Sequence, residues 1–533
     1  MTQPILAAEQ PALPRADHVV ADQSAVFAFL ANPASHKGGA PVTRIDTHGA
    51  AVFLVGQDAY KVKRAVAFPF MDFSTLEKRR IACQEEIAVN RPNAPDLYLE
   101  ALPVVRGDGG LHLGGTGEVL DWVVHMRRFD ETQTLDRVAM TEGLSPALLA
   151  DLACVIATAH ARAPRCAPDF DPVAELADVL ADNADAFAAA PEIFPASEAS
   201  ALAEAARAAL VRCTPVLQER AAAGYVRRCH GDLHLRNIAR IGGHPVLFDA
   251  IEFNPALATC DVLYDLAFLL MDLCERDFRA QANIVLNRYL WAADLDTHYS
   301  GLAALPLFLS TRAAIRAKVG APAAAGLSGA AKASAIDDAR AYFRAASSFL
   351  HDGPPHLVAV GGLSGTGKTT LAFGLAPELG PQPGAVVLRS DIERKALAGV
   401  AETERLPPSA YTAAATQAVY DRLRHRASLA LAAGRSVIVD AVHARADERI
   451  AIADVAKRAG ISFTGLWLEA PVDTLRDRVS RRHGDASDAD AAVVAQQARY
   501  DLGPITWRTI DVSGGATAGL RDARLAVANG PTL

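Results

Sequence analysis

The chain has 533 residues, of which 51% are apolar and 21% charged, and its formal net charge at pH 7 is −8. This length exceeds what a single hydrophobic core usually organises, so two or three domains are expected. The acidic balance argues against a general nucleic-acid binder, because such proteins present a basic surface.

The sequence also argues against a membrane or secreted protein. Its longest apolar stretches fall short of the roughly 20 residues that span a bilayer. The N-terminus lacks the basic start and apolar core of a signal peptide. The seven cysteines are odd in number and form no C-x-x-C pair, which is typical of reduced thiols. We therefore expect a cytoplasmic protein with no membrane partner.

The N-terminal part is predicted to form a small sheet with one prominent helix. Residues 1–40 are rich in proline and alanine and are expected to be a loosely ordered lead-in. The capping box Ser74-Thr75-Leu76-Glu77 predicts the start of the helix. Alternating apolar and polar residues predict strands at 43–46, 51–55, 59–64, 98–105 and 120–126.

The pattern changes twice in the rest of the chain. Residues 131–350 are mainly helical in pattern, with a strand–loop–strand block that begins at residue 224 and a small-residue, linker-like stretch at 320–331. Residues 351–355 form a break, and we place a domain boundary near residue 352. Strands alternate with helices from residue 356 to residue 533, which predicts a parallel sheet covered on both faces.

The first candidate site lies in the strand–loop–strand block. Asp232 precedes Asn237 by five residues, and Asp249 ends the next apolar strand. A kinase active site needs a carboxylate for the proton of the acceptor hydroxyl, and an amide oxygen and a second carboxylate for Mg²⁺. The pattern His230-Gly231-Asp232-x4-Asn237, with Asp249 after it, resembles the aminoglycoside phosphotransferase family, relatives of protein and choline kinases.

This resemblance implies an α+β, protein-kinase-like domain at residues 41–350, with a sheet lobe at about 41–130 and a helical lobe at about 131–350. It also implies that Asp232 is the catalytic base and that Asn237 and Asp249 are the Mg²⁺ ligands. The family's glycine-rich loop between the first two strands has no match in this sequence.

The same resemblance implies that Lys61 binds the inner phosphates of ATP and forms an ion pair with Glu86. Lys63 shares a strand face with Lys61, so the choice between the two lysines stays open. A solvated helix face is an equal alternative for Glu86. Arg312 and Arg316 are four residues apart and are predicted to lie on one face of a helix, where they would hold an anionic substrate. The alternative is that this face is simply exposed to solvent.

The second candidate site is a P-loop. An apolar run beginning at residue 357 leads into Gly362-x4-Gly367-Lys368-Thr369. The backbone N–H groups of such a loop point at phosphate oxygens, the lysine adds charge and the threonine holds Mg²⁺. The predicted ATP-binding residues here are Gly362, Ser364, Gly365, Thr366, Gly367, Lys368, Thr369 and Thr370.

Two further predicted strands, at 386–389 and 436–439, run into carboxylates. Asp391 and Arg394 follow the first strand and Asp440 follows the second, and ligands of parallel sheets lie at such strand ends. The arrangement resembles small P-loop kinases, including polynucleotide 5′-kinase, zeta-toxin-like and gluconate-kinase-like enzymes. The resemblance implies that Asp391 accepts the proton of the acceptor hydroxyl, that Arg394 steadies the substrate or transferring phosphate and that Asp440 orders Mg²⁺ through water.

A segment near the C-terminus resembles a lid. Residues 466–488 are predicted to form a strand and a helix followed by a polar loop. Arg478, Arg481 and Arg482 are candidates to fold over the triphosphate, and Arg478 and Arg482 are selected as ATP-binding residues. An exposed basic helix end explains any single one of these arginines equally well.

The two resemblances predict a phosphotransferase with two Mg²⁺–ATP sites, of the kind often called bifunctional. Each site would serve a hydroxyl acceptor that is a small molecule, or a polynucleotide end at the second site. Two alternatives stay open: one half is a nucleotide-binding regulatory module, or the chain is an ATP-sensing stress- or antitoxin-like interaction protein. The sequence also leaves open whether the chain forms a homo-oligomer.

Overall fold

The computed structural model of the chain describes residues 18–68, 71–325, 327–351, 353–481 and 484–530. Three parts follow one another: an antiparallel sheet lobe, a mainly helical lobe and a domain built on a parallel sheet. The predicted fold class, a kinase-like domain followed by an α/β P-loop domain, is confirmed. Arg482 lies outside the described residues.

The sheet lobe contains six antiparallel strands in the order β1-β2-β3-β8-β6-β7, with β4 and β5 as a separate pair. Apolar side chains that alternate along the strands, such as Phe53 and Val62, are fully buried on one face. The elements of this lobe are α1 Ser24–Ala31, β1 Val42–Asp46, β2 Ala50–Val55, β3 Asp58–Lys63, β4 Ala67–Phe68, β5 Met71–Asp72, α2 Leu76–Asn90, β6 Tyr98–Gly107, β7 Gly110–Leu113 and β8 Glu118–Arg127.

Residues 18–40 differ from the loosely ordered lead-in that was expected for residues 1–40. Helix α1 buries Val26 and Leu30, four residues apart on one helix face, in the core of the sheet lobe. Gln23 reaches the same lobe, where its Nε2 donates to Asp121 Oδ2 at 2.7 Å. This segment is thus part of the folded lobe, and residues 1–17 lie outside the described residues.

Helix α2 begins close to its predicted start. Thr75, one residue after the predicted cap, is the N-cap, and its side chain accepts a hydrogen bond from the backbone N–H of Lys78. Eleven residues further on, the helix places Glu86 in the interior, where it is 0% exposed. The solvated helix face that was an alternative for Glu86 is therefore not its environment.

The helical lobe surrounds two small antiparallel sheets of two strands each, β9 with β12 and β10 with β11. Part of the stretch predicted as a linker at 320–331 instead ends one long helix and starts the next. The elements are α3 Leu135–Thr141, α4 Pro146–Arg162, α5 Pro172–Ala188, α6 Ala196–Ala222, β9 Val226–Arg228, β10 Ile238–Ile241, β11 His244–Leu247, α7 Pro255–Ala258, β12 Thr259–Asp261, α8 Val262–Glu275, α9 Arg279–Ala293, α10 Asp296–Gly301, α11 Leu305–Ala325 and α12 Gly329–Phe349.

The last domain has five parallel strands in the order β14-β15-β13-β16-β17. Its central strands are buried along nearly their whole length, as expected for a sheet covered by helices on both faces. The elements are β13 His356–Gly362, α13 Lys368–Leu375, β14 Val386–Arg389, α14 Ser390–Ala398, α15 Ala413–Ala432, β15 Val437–Asp440, α16 Ala446–Ala459, β16 Ser462–Glu469, α17 Val472–Ser480, α18 Ala491–Gln497, β17 Arg508–Asp511 and α19 Ala516–Ala528.

The two domains share one buried core. The apolar cluster of α8 and α9, which includes Leu266 and Leu286, continues into Leu388 of β14 and Val439 of β15. The helical lobe therefore packs on one edge of the parallel sheet. Among the helices that the structure describes, none combines the length and the apolar character needed to cross a bilayer.

Candidate active sites

The first candidate site is built on the loop between β9 and β10, residues 229–237. Asn237 donates from Nδ2 to Asp232 twice, to the carboxylate Oδ2 at 2.9 Å and to the backbone carbonyl oxygen at 3.0 Å. Because the amide nitrogen is used in this way, Oδ1 of Asn237 is the atom left to ligate a cation.

The ionisation of Asp232 is controlled by its basic neighbours. Burial would raise the pKa of this carboxyl, but His234, His230 and Arg316 outweigh burial and hold the pKa well below its ordinary value. His234 has its Nε2 3.4 Å from Asp232 Oδ2. Asp232 is therefore ionised at neutral pH and able to accept a hydrogen bond from a hydroxyl group.

Buried partners fix the shape of this loop. Asp265 accepts from the backbone N–H of Gly231 at 2.8 Å and from that of His230 at 3.3 Å. Gly231 has a φ of +81°, and a Cβ at this position would lie 2.9 Å from the Ala258 Cβ, so only glycine fits. The His230 ring also braces the loop, with Nε2 2.9 Å from the carbonyl oxygen of Phe248.

Arg312 has a different environment from either one considered in the sequence. It is only 4% exposed, its Nη1 donates to the carbonyl oxygen of Gly231 at 3.1 Å, and its guanidinium lies 3.9 Å from the centroid of the Tyr264 ring. Arg312 therefore braces the loop between β9 and β10. Arg316 lies one turn further along α11, over the Tyr342 ring, and also lines the cavity described below.

Lys61, Glu86 and Asp249 come together from three distant parts of the chain. Lys61 Nζ donates to Glu86 Oε1 at 2.8 Å and to Asp249 Oδ1 at 2.6 Å. Asp249 has a left-handed φ of 60°, which is uncommon outside glycine and concentrates at functional positions. Although burial would raise the pKa of Asp249, Lys61 lowers it below its ordinary value.

Lys63 has another set of contacts. It is 2% exposed and forms ion pairs with Glu86 and with Glu252, which is itself 7% exposed. Of the two lysines, only Lys61 is paired with Asp249 among the described ion pairs. Glu252 was not identified from the sequence, although its position three residues after Asp249 is a signal that could have been used.

A cavity of about 550 Å³ between the two lobes contains Lys61, Asp232 and Asp249. The turn between β1 and β2, Thr47-His48-Gly49, also lines this cavity, at the position for which the family resemblance implied a glycine-rich loop. The wall beyond Asp232 is mostly apolar and includes Leu176, Val179, Tyr264, Phe268, Phe308 and Ile315.

The second candidate site is the P-loop between β13 and α13. Gly365 has a φ of +87°, and a Cβ there would lie 2.7 Å from the carbonyl oxygen of Leu475, so the loop needs glycine at this position. The Ser364 backbone N–H donates to Gln497 Oε1 at 2.8 Å. Lys368 Nζ donates to the carbonyl oxygen of Leu363 at 3.1 Å.

Asp440, at the end of β15, faces the P-loop. Thr369 Oγ1 donates to Asp440 Oδ2 at 2.6 Å, which brings the two predicted Mg²⁺ residues together. Burial raises the pKa of Asp440 above its ordinary value, although Arg389 and Lys368 act in the opposite direction. Arg389 lies 3.5 Å from Asp440 and donates to Asp485 at 2.9 Å. Arg389 was not predicted as a site residue from the sequence, although it is the last residue of the strand that precedes Asp391.

Asp391 and Arg394 lie on the first turns of α14 and line the same cavity as the P-loop, of about 1030 Å³. Arg394 Nη1 donates to the carbonyl oxygen of Ala410 at 2.7 Å, and its guanidinium lies 4.9 Å from the Tyr411 ring centroid. Nη1 of Arg394 is thus already hydrogen-bonded within the protein. It would have to release the carbonyl oxygen of Ala410 in order to bind a phosphate.

The lid candidates have different environments. Arg478 lines the cavity, and its Nη2 donates to the carbonyl oxygen of Val512 at 2.8 Å. Arg481 is exposed and lies 4.0 Å from Asp477. In the polar loop that follows, Asp488 accepts from Lys395 at 2.9 Å and from Tyr411 at 2.6 Å. That loop is therefore tied to α14, a contact that no sequence pattern indicated.

Comparison with known proteins identifies both halves. The sequence model of the "Phosphotransferase enzyme family" matches residues 90–305, and that of an "AAA domain" matches residues 357–501. Uncharacterized proteins of Mycobacterium tuberculosis and Mycobacterium bovis are 31% identical over 488 residues, which is 88% of this chain and 92% of theirs. The resemblances drawn from the sequence are thereby confirmed.

Solved structures also match each half. A choline/ethanolamine kinase family protein from Mesorhizobium loti is 14% identical and covers 60% of this chain and 94% of its own, with a TM-score of 0.36. A sugar kinase from Janibacter sp. HTCC2649 is 20% identical and covers 33% of this chain and 95% of its own, with a TM-score of 0.27.

Proposed function

The chain belongs to the same family as these mycobacterial proteins and joins a phosphotransferase-family domain to an AAA domain; from this premise we propose that it is an ATP-dependent phosphotransferase with two Mg²⁺–ATP sites. Each site transfers the γ-phosphoryl group to a hydroxyl acceptor. The observation that carries the proposal is the assembly of Lys61, Asp232 and Asp249 around one cavity. The cytoplasmic location stays a prediction.

At the first site, Asp232 accepts a hydrogen bond from the acceptor hydroxyl and orients the hydroxyl oxygen toward the γ-phosphorus. Asp232 receives the hydroxyl proton as the new P–O bond forms, while the bond from the γ-phosphorus to the β–γ bridging oxygen breaks and ADP leaves. Its lowered pKa keeps it ionised for this role. Lys61, already held by Glu86 and Asp249, places a positive charge beside the phosphates. Most of the catalytic effect in this scheme comes from fixed positions and charges.

The residues of the first site suit a magnesium ion. Oδ1 of Asn237 and the carboxylate of Asp249 are hard oxygen donors of the kind Mg²⁺ prefers, and they would hold it. When bound, Mg²⁺ neutralises charge on the phosphate oxygens. The Lys61–Asp249 ion pair must then rearrange or share the carboxylate, which has two oxygens.

At the second site, the P-loop N–H groups and Lys368 bind the phosphates, and Asp391 takes the role that Asp232 has in the first site. Thr369 and Asp440 fit a magnesium ion, since a hydroxyl and a carboxylate already in contact provide oxygen donors. Arg394 and Arg478 line the cavity and would stabilise the transferring phosphoryl group. The acceptor here is a small-molecule alcohol or a polynucleotide end.

The cavity of the first site favours a neutral or anionic acceptor with an apolar body. Beyond Asp232 its wall is apolar apart from a few charged groups. Among the acidic residues there, Glu252 is paired with Lys63 and Asp261 with Arg220, and Glu175 is exposed. A polycation such as an aminoglycoside would find few free carboxylates, so we do not expect that substrate class.

The proposal is tested with full-length wild type, Asp232→Asn and Asp391→Asn. Each is incubated with Mg²⁺–ATP and pooled metabolites, and mass spectrometry detects the gain of one phosphoryl group. Each variant is expected to lose a different set of products while it still binds an ATP analogue. If no pool gives a product although the analogue binds, the ATP-sensing alternative replaces this proposal.

A further inference from the structure

Helix α9 of the helical lobe lies along the free edge of the second domain's sheet. Strand β14 is an edge strand, so one side of its backbone has no neighbouring strand within the described part of the chain. Asn283, Asn287 and Trp291 are spaced four residues apart and thus lie on one face of α9. Their side chains are 0%, 0% and 9% exposed, respectively. Side chains on this face of α9 form hydrogen bonds with the open side of the edge-strand backbone.

The bonds follow the register of the edge strand. Asn283 and Asn287 each donate from Nδ2 to the carbonyl oxygen of Ala385, at 3.0 and 3.2 Å. Asn287 Oδ1 accepts from the backbone N–H of Val387 at 2.6 Å. Trp291 Nε1 donates to the carbonyl oxygen of Val387 at 3.0 Å. Asn287 therefore bonds the carbonyl group of Ala385, directly before β14, and the N–H group of Val387 within it, which fixes the position of β14 along α9.

An ion-pair cluster holds the helix that follows this strand. Glu393 of α14 is 0% exposed and accepts two hydrogen bonds from Arg426 Nη1, both at 2.9 Å. The same Arg426 donates to Asp294 at 2.7 Å and to Asp296 at 2.9 Å, two carboxylates of the helical lobe. One buried guanidinium thus connects α14 to the turn between α9 and α10.

These contacts act on one half of the second site. β14 and α14 carry Arg389, Asp391 and Arg394, the residues on the acceptor side of the cavity. The P-loop strand β13 lies in the sheet interior between β15 and β16 and has strand neighbours on both sides. The strand of the P-loop therefore has all its strand neighbours within its own domain, and α9 reaches the nucleotide side through the packing of Trp291 on Phe373 of α13. On the acceptor side, α9 instead makes hydrogen bonds to the edge-strand backbone.

We propose that α9 is a structural part of the second active site and that Asn287 is a positioning residue for Asp391. The role of Asp391 rests on the function proposed above, but the positioning of β14 and α14 does not. Burying two asparagines at a helix interface is unfavourable unless they are hydrogen-bonded, and apolar side chains would suffice if α9 served only to pack the domains together. The two domains are thus one unit at this site.

The test is hydrogen–deuterium exchange of the full-length chain, which needs no acceptor. Asn287→Leu keeps the side-chain size and removes the bonds to Ala385 and Val387. We expect amides in residues 390–398 to exchange about tenfold faster or more, with residues 356–375 unchanged and ATP-analogue binding at the P-loop retained. The Val387 amide loses its own acceptor, so residues 390–398 decide the outcome.

The matched control is Asn183→Leu in α5. Asn183 is another buried asparagine of the same lobe, 3% exposed, and neither its nitrogen nor its oxygen has a hydrogen-bond partner among the described residues. This variant is expected to leave exchange in both segments unchanged. Unchanged exchange at 390–398 in Asn287→Leu, or equal acceleration of 356–375, would overturn the proposal.

A milder variant covers the case in which Asn287→Leu does not fold. Trp291→Phe removes the hydrogen bond to the carbonyl oxygen of Val387 and keeps an aromatic ring against Phe373 of α13. With exchange in β13 unchanged, a smaller acceleration at 390–398 is expected. No acceleration there would count against the proposal. Once a second-site acceptor is known, both variants should lower kcat while the KM for ATP stays constant, which a failure of nucleotide binding would not produce.

Discussion

The two candidate sites hold their phosphate-binding cations in different ways. In the first, Lys61 is already paired with the carboxylates of Glu86 and Asp249. In the second, Lys368 and Arg478 each donate to a backbone carbonyl oxygen. Lys61 of the first site is therefore placed in advance by one fully buried carboxylate and one partly exposed carboxylate, whereas the two cations of the second site would exchange carbonyl partners for phosphate oxygens.

The largest expected effect is the loss of transfer at the first site in Asp232→Asn. Asparagine keeps the side-chain size but cannot receive a proton, so kcat for the first-site acceptor should fall about a thousandfold. Initial rates with saturating Mg²⁺–ATP measure this. Asp391→Asn is the control and should leave that rate unchanged; a fall in both variants would mean that the sites are not separate.

The second prediction concerns the buried charges of the first site. Lys63→Met leaves Glu86 and Glu252 buried with one cation fewer, which should lower the free energy of unfolding by about 3 kcal/mol. Urea denaturation gives this value. Lys318→Met is the control, because its partner Asp182 is 71% exposed and such pairs contribute about 1 kcal/mol or less. Equal losses in the two variants would contradict a prearranged, charge-paired site.

The third prediction concerns the P-loop. Lys368→Ala removes a charged donor to the phosphates, so the affinity of the second site for an ATP analogue should fall roughly 10- to 100-fold. Titration calorimetry is the measurement, and the first site in the same chain serves as the internal control. An unchanged affinity at the second site would show that Lys368 does not bind the nucleotide.

The smallest expected effect is a difference in pH dependence. The raised pKa of Asp440 means that it takes up a proton as the pH falls toward its ordinary range, earlier than a normal aspartate, and Mg²⁺ affinity at the second site should weaken a few-fold. The lowered pKa values of Asp232 and Asp249 keep the first site ionised. Mg²⁺ titrations between neutral pH and about pH 5 compare the two; parallel losses would contradict this distinction.

The effect of pH on folding stability has opposite signs for Asp249, whose pKa is lowered, and Asp440, whose pKa is raised. Its pKa is lower in the folded chain than the ordinary value, so the unfolded chain binds the proton more tightly. The stability that it contributes is present above the unfolded pKa and is lost as the pH falls through the folded pKa. Acid unfolding of wild type and Asp249→Asn, followed by circular dichroism, should converge at low pH.

Local patterns predicted the parts of both sites that are local in sequence. The P-loop from Gly362 to Thr369 is contiguous, and Asp232 and Asn237 are five residues apart, so spacing alone indicated their chemistry. The Lys61–Glu86 contact is also present in the structure, although it was inferred from family resemblance and had an equal alternative. The geometry of the P-loop and of the Asp232–Asn237 pair is set within a single loop, and that of the Lys61–Glu86 pair was known from the family fold.

The remaining features depend on contacts between distant segments. Glu252 meets Lys63 across 189 residues, and Asn287 meets Val387 across 100. Arg312 could not be placed from its spacing, because a buried brace and an exposed helix face share the same i, i+4 pattern. No periodicity encodes such pairs, so the edge contact of α9 was visible only in the folded chain.

The central claim is that one chain holds two separate Mg²⁺–ATP sites. Titration calorimetry with a non-hydrolysable ATP analogue and Mg²⁺ tests it most directly, using wild type, Asp249→Ala, Lys368→Ala and the double variant. We expect two bound analogues per wild-type chain, one at full affinity in each single variant and none at that affinity in the double variant. A single analogue per wild-type chain, or loss of both in either single variant, would contradict it.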